Sequence, residues 1–274
     1  MNRCRVLDLT TGVTLVVSDL YGDWDAFTRY VGRFRQLHSR RRADRLLFLG
    51  DLIHPDPRLH RYADTSLDIL LAIGQLQADL GVETVIVLMG DHEIAQHYRI
   101  AVSGVNLSAM THLSQEITTL DAIRHEIVTR VFERMPLFVR TASGVMFTHA
   151  GASRSAVLNW SEVDSADDPW LLAEIAGTSA EQTESVSLYA RLVEHMLTVC
   201  SEQAPVSQRF LVSGHVPIAG GCAMTTPRQL RIASAACASP REAGSYLLLD
   251  VAQPIHSLEG LTEHLGSIFT MSSP

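Results

Sequence analysis

Five residues able to bind metal ions each follow a short apolar run of the sequence. They are Asp19, Asp51, Asp91, His149 and His215. Carboxylate oxygens combined with imidazole nitrogens suit Mn, Fe or Zn better than Ca. If these side chains converge, they form a site for one or two divalent or trivalent cations.

The apolar runs that precede these residues are typical of strands buried on both faces. The runs are Thr14–Ser18, Arg45–Leu49, Thr84–Met89, Val145–Thr148 and Arg209–Ser213. Apolar residues at three- and four-residue spacing predict helices between them, over Trp24–Leu37, Ser66–Leu80, Met110–Arg134 and Ser187–Cys200. Alternating strands and helices predict an α/β fold, in which ligands bind at the carboxyl ends of the strands. The five side chains are therefore expected at one edge of the molecule.

The last third of the chain has a different pattern. Gln229–Ala233 and Ser245–Val251 are strand-like, with little room for helices between them. They predict antiparallel strands that complete a second sheet. No linker or repeat interrupts the 274 residues, so we expect one domain over residues 1–274.

Composition narrows the class of protein. The net charge is −8, which disfavours a nucleic-acid binder. No run of 18 apolar residues and no secretory signal is present, so no membrane partner and a cytoplasmic location are expected. The four cysteines have neither metal-site nor disulfide spacing and are interpreted as free thiols.

Five motifs, in this order, resemble those of the calcineurin-like metallophosphoesterases. They are SDLYGD, GDLIHPD, VIVLMGDHE, FTHAG and SGHVP. The stretches SLDIL, VFERMPLFVR and GSYLLLDV extend the resemblance to the phosphoprotein phosphatase branch, which includes bacterial Ser/Thr phosphatases and diadenosine tetraphosphatases. The resemblance covers residues 13 to 252.

The resemblance implies a two-sheet β-sandwich flanked by helices, a four-layer αββα arrangement. It also implies two metal ions bridged by Asp51 and a hydroxide. Site 1 would use Asp19, position 21 and Asp51, and site 2 would use Asp51, Asp91, His149 and His215. Two such ions lower the pKa of a bridging water and stabilise an in-line displacement at phosphorus. His92 would protonate the leaving group, and Glu93 would orient the loop.

Four positions depart from the family pattern. Tyr21 replaces a histidine of site 1, and Asp91 replaces an asparagine of site 2. His54 replaces an aspartate that orients the general acid, and Pro55 replaces a phosphate-binding arginine. Diadenosine tetraphosphatases also lack that aspartate. Candidates for the missing arginine are Arg58 and Arg61 in the same loop, and Arg154 after FTHAG.

Two of these substitutions have several interpretations. In purple acid phosphatases, the residue three positions after the bridging aspartate is a metal ligand, so His54 could supply the nitrogen that position 21 lacks. Alternatively, His54 contacts the metal ligands without binding the metal itself, or it faces solvent. Tyr21 could bind a metal as phenolate, donate a hydrogen bond as phenol, or fill site 1 by packing.

The leading functional hypothesis is a metal-dependent phosphomonoesterase that acts on a phosphoprotein or a small phosphate. A metal-bound hydroxide would attack, and His92 would be the general acid. The alternatives are a non-catalytic relative that binds or regulates, and a hydrolase of nucleotide polyphosphates or cyclic nucleotides. Substrate choice is assigned to Asn106–Glu116 and Ser153–Pro169. The oligomeric state has no signature in the sequence.

Overall fold

The computed structural model describes residues 5–55, 63–158, 160–177, 184–202 and 204–269. The helices are α1 Trp24–Ser39, α2 Ser66–Leu80, α3 Asp91–Tyr98, α4 Leu107–Thr118, α5 Ala122–Glu133, α6 Arg154–Leu158, α7 Pro169–Gly177, α8 Val186–Ser201 and α9 Leu258–Thr262. Short 3₁₀ turns cover Trp160–Ser165 and Arg241–Ala243. Within these ranges no helix is both long and apolar enough to span a membrane.

The strands are β1 Val6–Leu9, β2 Val13–Val17, β3 Arg45–Phe48, β4 Val85–Val87, β5 Phe138–Thr141, β6 Val145–Thr148, β7 Phe210–Ser213, β8 Ile218–Ala219, β9 Cys222–Thr226, β10 Gln229–Ile232, β11 Ala238–Ser239, β12 Ser245–Asp250 and β13 Leu265–Ser267. One sheet has the order β1-β5-β6-β7-β10-β9, and another has the order β13-β12-β2-β3-β4. Strands β8 and β11 form a separate pair. The predicted α/β class with sheets flanked by helices is confirmed.

The apolar runs of the central strands are continuous because the side chains on both faces of each strand are buried. Val16 and Leu47 belong to a core cluster that also contains Val139 and Phe147 of the six-stranded sheet. The alternate residues of β2 and β3, such as Leu15 and Phe48, belong to the cluster that includes the helices. Since successive side chains of a strand point to opposite faces, both faces of these strands are buried.

Parallel register brings the carboxyl ends of the strands together. In the five-stranded sheet, Val17 of β2 pairs with Phe48 of β3, and Phe48 pairs with Val87 of β4. In the six-stranded sheet, Phe147 of β6 pairs with Val212 of β7. The residues that follow all five strands therefore emerge at the same edge, as the sequence pattern predicts.

Two predictions about the elements are wrong. The helix predicted over Met110–Arg134 is two helices, because Asp121 accepts a hydrogen bond from the backbone N–H of Arg124 and caps a new helix, α5. The two strands predicted near the C-terminus do not complete one sheet. β10 lies in the six-stranded sheet, but β12 pairs antiparallel with β2 in the other.

Candidate metal centre

Five candidate site residues have a backbone conformation that L-amino acids seldom adopt. Their φ angles lie between 48° and 69°, and they are Asp19, Tyr21, Asp51, His54 and His215. In the described ranges the other non-glycine residues with positive φ are Arg41 and Arg99. Such a conformation costs on the order of 1–3 kcal/mol and is concentrated at functional sites. The strained positions follow β2, β3 and β7, at the edge where the strands end.

The carboxylate of Glu93 fixes the loop after β3. Its Oε2 accepts hydrogen bonds from the backbone N–H groups of Asp51 (2.8 Å) and Gly90 (3.1 Å), and its Oε1 accepts one from Leu52 (2.8 Å). Glu93 is fully buried, and burial, with a contribution from the charge of Asp51, raises its pKa to about 7. Glu93 therefore makes the orienting contact that the sequence predicts for it, and it links the loops after β3 and β4.

Gly90 lets these two loops approach closely. A Cβ atom at this position would collide with Asp51 Oδ1 and lie 2.8 Å from the backbone nitrogen of Asp51. Helix α3 begins at the next residue, and the backbone N–H of His92 in its first turn donates to Asp51 Oδ1 (3.3 Å). The helix N-terminus thus stabilises the Asp51 carboxylate.

Four predicted ligands meet in one cluster, which is site 2 as defined above. One ligand atom each from Asp51, Asp91, His149 and His215 lies within 4.8 Å of the others. His149 Nε2 is 3.1 Å from His215 Nδ1, 3.2 Å from Asp91 Oδ1 and 3.3 Å from Asp51 Oδ2. Two nitrogens and two carboxylate oxygens that face one another are a suitable donor set for Mn, Fe or Zn.

Asp51 shows that this cluster fits a cation. Its Oδ2 is fully buried and makes no hydrogen bond with any described residue. Three imidazole nitrogens face this oxygen, at 3.3 Å in His149, 3.9 Å in His92 and 4.0 Å in His215. A buried carboxylate oxygen in such surroundings is costly unless a positive charge compensates it. A metal ion among the four donors supplies that charge.

The backbone fixes which nitrogen of His149 faces the cluster. Its Nδ1 lies 2.9 Å from the carbonyl oxygen of Leu49, which can only accept, so Nδ1 carries a hydrogen and donates. This leaves Nε2 to face Asp51 and Asp91. A histidine ligand held by its other nitrogen in this way has its ring orientation set before a metal binds.

The carboxylates of site 2 raise the pKa of both imidazoles. Burial alone would lower the pKa of His215, but the charge of Asp91 and the proximity of both carboxylates raise it to about 9. Burial opposes protonation of His149 too, yet Asp51 raises its pKa well above the usual value. For Asp51, burial is outweighed by His149 and His92, which hold its pKa well below the usual range.

These pKa shifts predict that metal binding releases protons. Below pH 9 a metal ion must displace the proton of His215 as well as that of His149, so its affinity should rise with pH and the rise should lessen above about 9. Titration calorimetry with Mn²⁺ in two buffers of different ionisation enthalpy measures the released protons. An affinity that stays constant from pH 6 to 9 would contradict this interpretation.

Asp19 lies beside site 2, and the cluster of described residues does not include it. Its Oδ1 accepts a hydrogen bond from the backbone N–H of His215 (2.9 Å), and its buried Oδ2 makes none with the described residues. Burial raises the pKa of Asp19 to about 6, and the charge of Asp51 adds to the rise. Asp19 therefore offers one oxygen toward site 1.

His54 lies outside the ligand cluster of the described residues, and its role as a metal ligand stays a prediction. Its ring is fully buried, and Nε2 lies 2.8 Å from Oε1 of Gln96. Gln96 in turn donates from Nε2 to Oγ of Ser114 (2.9 Å), so its Oε1 must face His54. His54 Nε2 is then the donor. Burial, followed by the charge of His92, lowers the pKa of His54 to about 4, so the ring is neutral.

Sequence reasoning missed Gln96. It lies on α3 four residues after His92, a spacing that places both side chains on one helix face. That spacing could have indicated a residue near the general acid. Nothing in the sequence indicates that His54 reaches it, because the positive φ of His54 sets the direction of its ring.

His92 lies at the border of the cluster. Its Nε2 is 3.9 Å from Asp51 Oδ2, and its ring is 4.9 Å from that of Tyr21 and 5.5 Å from that of His54, between centroids. Its side chain is 6% exposed. A proton donor at this distance from Asp51 can reach a group that is bound beside site 2.

Tyr21 is buried in a pocket of small side chains. It clusters with Ala233, Ala236, Cys237 and Ala238, and its ring stands edge-on to that of His92. Burial raises the pKa of the Tyr21 phenol well above its usual value, and the negative charge of Asp51 adds to the effect. In the metal-free protein Tyr21 is therefore a neutral phenol.

The candidate phosphate-binding arginines are not part of this cluster as far as the structure describes them. Arg154 is the first residue of α6, is 61% exposed, and forms an ion pair with Glu184. Arg58 and Arg61 lie outside the described residues. Phosphate binding by Arg154 or Arg58 stays a prediction.

Comparisons with known proteins agree with this fold. The family model for the calcineurin-like phosphoesterases matches residues 13–233. No curated protein sequence matches the chain.

Three solved structures of phosphatases share the fold. One structure of a cold-active protein tyrosine phosphatase has a TM-score of 0.54 at 14% identity, covering 90% of this chain and 75% of that one. Another, from a psychrophilic Shewanella species, has a TM-score of 0.50 at 14% identity and covers 90% and 78%. A protein Ser/Thr phosphatase of Saccharomyces cerevisiae, with similarity to human phosphatase PP5, has a TM-score of 0.53 at 12% identity and covers 96% and 82%.

Identities this low show a common fold and no more. The family match is a stronger finding, because it spans most of the chain and contains all four site 2 ligands. The chain belongs to the calcineurin-like phosphoesterase family and is a metal-dependent hydrolase of phosphate esters.

Proposed function

We propose that this protein is a phosphomonoesterase of the phosphoprotein phosphatase type, acting on a phosphorylated protein side chain or a small phosphate ester. The observation that carries the proposal is Oδ2 of Asp51. This buried oxygen makes no hydrogen bond with the described residues and faces His149, His215 and His92. The metal ligands and a proton donor thus surround one point.

Site 2 would hold Mn, Fe or Zn through Asp51, Asp91, His149 and His215. A metal ion bound there supplies Lewis-acid chemistry, which polarises a phosphoryl oxygen and makes water a better nucleophile. The protein contributes rigid positioning, because Glu93 and Leu49 hold Asp51 and His149 through backbone groups.

His92 would act on the leaving group. As the oxygen of water forms its bond to phosphorus and gives up a proton, the ester P–O bond breaks and the leaving oxygen takes a proton from His92. The proton released by the water restores His92 through the solvent. Nε2 of His92 lies 3.9 Å from Asp51 Oδ2, so a phosphate ester bound beside Asp51 would present its ester oxygen within reach. Arg154 is the described candidate for binding the phosphate, once it leaves Glu184.

The choice of substrate class has a separate basis. The structural neighbours reported above are named as protein tyrosine and Ser/Thr phosphatases. Their fold covers nine-tenths or more of this chain. Phosphopeptides are therefore the first substrates to test, followed by small phosphate monoesters and dinucleoside polyphosphates.

We expect purified protein loaded with Mn²⁺ to hydrolyse p-nitrophenyl phosphate, a chelator to abolish the activity, and added Mn²⁺ to restore it. Release of inorganic phosphate from phosphoserine, phosphothreonine and phosphotyrosine peptides then ranks the substrates. If neither the aryl phosphate nor any peptide is turned over with Mn, Fe or Zn, the proposal is wrong and a binding or regulatory role remains. Faster turnover of a dinucleoside polyphosphate would replace the phosphomonoesterase assignment.

A further inference from the structure

Site 1 lacks the donors that site 2 has. Among the described residues it offers one oxygen of Asp19 and the shared carboxylate of Asp51. The other oxygen of Asp19 already accepts a hydrogen bond from the backbone of His215. Two carboxylates without an imidazole are a weak donor set for Mn, Fe or Zn, which bind imidazole well.

The nitrogen lost at position 21 is not replaced by His54. The Nε2 of His54 donates to Gln96, and the ring is fully buried and packs beside His92. The hydrogen bond from Gln96 to Ser114 holds the amide in place. The other ring nitrogen, Nδ1, is buried without a hydrogen-bond partner among the described residues, but no described group of three donors within 4.8 Å of one another contains it.

The surroundings of Tyr21 suit its ring. The segment Ala233–Ala238 reads ASAACA, and none of its side chains is larger than that of cysteine. Its backbone is joined to the site, because the N–H of Ala236 donates to the carbonyl oxygen of Asp19 (3.2 Å). The tyrosine ring is 6% exposed in this pocket. The small side chains thus leave room for a buried tyrosine ring at position 21, two residues after Asp19, where the family pattern implies a histidine.

Site 2 is correspondingly richer in charge. Asp91 replaces the amide that the family pattern implies, so two carboxylates and two imidazoles face one point. Two carboxylates neutralise one divalent cation without help from a second ion. A two-metal centre would divide the negative charge of its ligands between sites 1 and 2. Here that charge is concentrated at site 2.

We propose that this protein binds a single metal ion per chain, at site 2. Tyr21, buried against Ala233, Ala236, Cys237 and Ala238, closes site 1. The inference deepens the proposed function, on which it rests for the identity of the site. A Tyr21→His substitution restores the missing imidazole beside Asp19 and should therefore create a second metal site.

The test is the metal content of the purified full-length chain. Protein is loaded with excess Mn²⁺, desalted and analysed by inductively coupled plasma mass spectrometry. We expect one Mn per chain for the wild type, one for Tyr21→Phe, which keeps the ring, and two for Tyr21→His. Electron paramagnetic resonance should show an isolated Mn²⁺ signal in the first two proteins and a spin-coupled pair in Tyr21→His.

Several results would overturn the inference. They are two ions or none in the wild type, one ion in folded Tyr21→His, or a tyrosinate-to-iron absorption band in Fe³⁺-loaded wild type. Circular dichroism establishes whether Tyr21→His folds, and if it does not, the wild-type and Tyr21→Phe counts decide. The count is independent of turnover: one ion without activity would refute only the proposed function, and two ions with activity only this inference.

Discussion

An Asp51→Asn variant is expected to lose phosphatase activity by about 10³-fold or more in kcat/KM, equivalent to about 4 kcal/mol of transition-state stabilisation. Asp51 is the ligand whose Oδ2 faces both site 2 imidazoles, and it accepts the backbone N–H of His92 through Oδ1. The amide removes the negative charge and places an NH₂ group opposite those donors. Loss of a residue that merely supports a ligand already costs about 10–100-fold.

Metal affinity should fall together with activity in this variant. Titration calorimetry with Mn²⁺ and steady-state kinetics on p-nitrophenyl phosphate measure the two effects. The matched control is Asp79→Asn, the same change at an exposed position of α2 whose carboxylate accepts only from Gln75 in the described structure. Wild-type turnover in a folded Asp51→Asn variant would show that the chemistry takes place elsewhere.

A His92→Asn variant should lose activity in proportion to the basicity of the leaving group. On a phosphoserine peptide, whose alkoxide is a poor leaving group, we expect kcat to fall by about 10²–10⁴-fold. On p-nitrophenyl phosphate, whose phenolate leaves without a proton, the loss should be about tenfold or less. The reason is that a general acid contributes only where the departing oxygen needs a proton.

The comparison between the two substrates separates proton donation from simple damage to the site. His125→Asn serves as the control, because this histidine is exposed on α5. Mn²⁺ affinity of His92→Asn should stay close to wild type, since His92 is outside the ligand cluster of the described residues. Equal losses on both substrates would assign His92 a positioning role.

The sequence could predict the site 2 residues because their placement depends on local pattern. Each follows an apolar run, and parallel strands in register deliver their carboxyl ends to one edge, as the pairing of Val17, Phe48 and Val87 shows. The orienting role of Glu93 is also predictable from local sequence, because Glu93 lies two residues after Asp91 in the first turn of α3.

Contacts that depend on side-chain direction could not be predicted from the sequence. The bond between His54 and Gln96 joins residues 42 positions apart and depends on a positive φ at His54. The placement of β12 beside β2 depends on pairing between distant strands, which no local pattern specifies. The break between α4 and α5 is different, since the capping residue Asp121 is a sequence signal that lies within a continuous apolar period.

The three hydrogen bonds of Glu93 bear on metal selectivity. Because one buried carboxylate ties the loops after β3 and β4 through their backbones, the distance between Asp51 and Asp91 is set before any ion arrives. A site held in this way resists contraction around a small cation and expansion around a large one. Discrimination among Mn, Fe and Zn should then follow ionic radius and preferred coordination geometry, and the supply of each metal would decide only between ions that fit equally well.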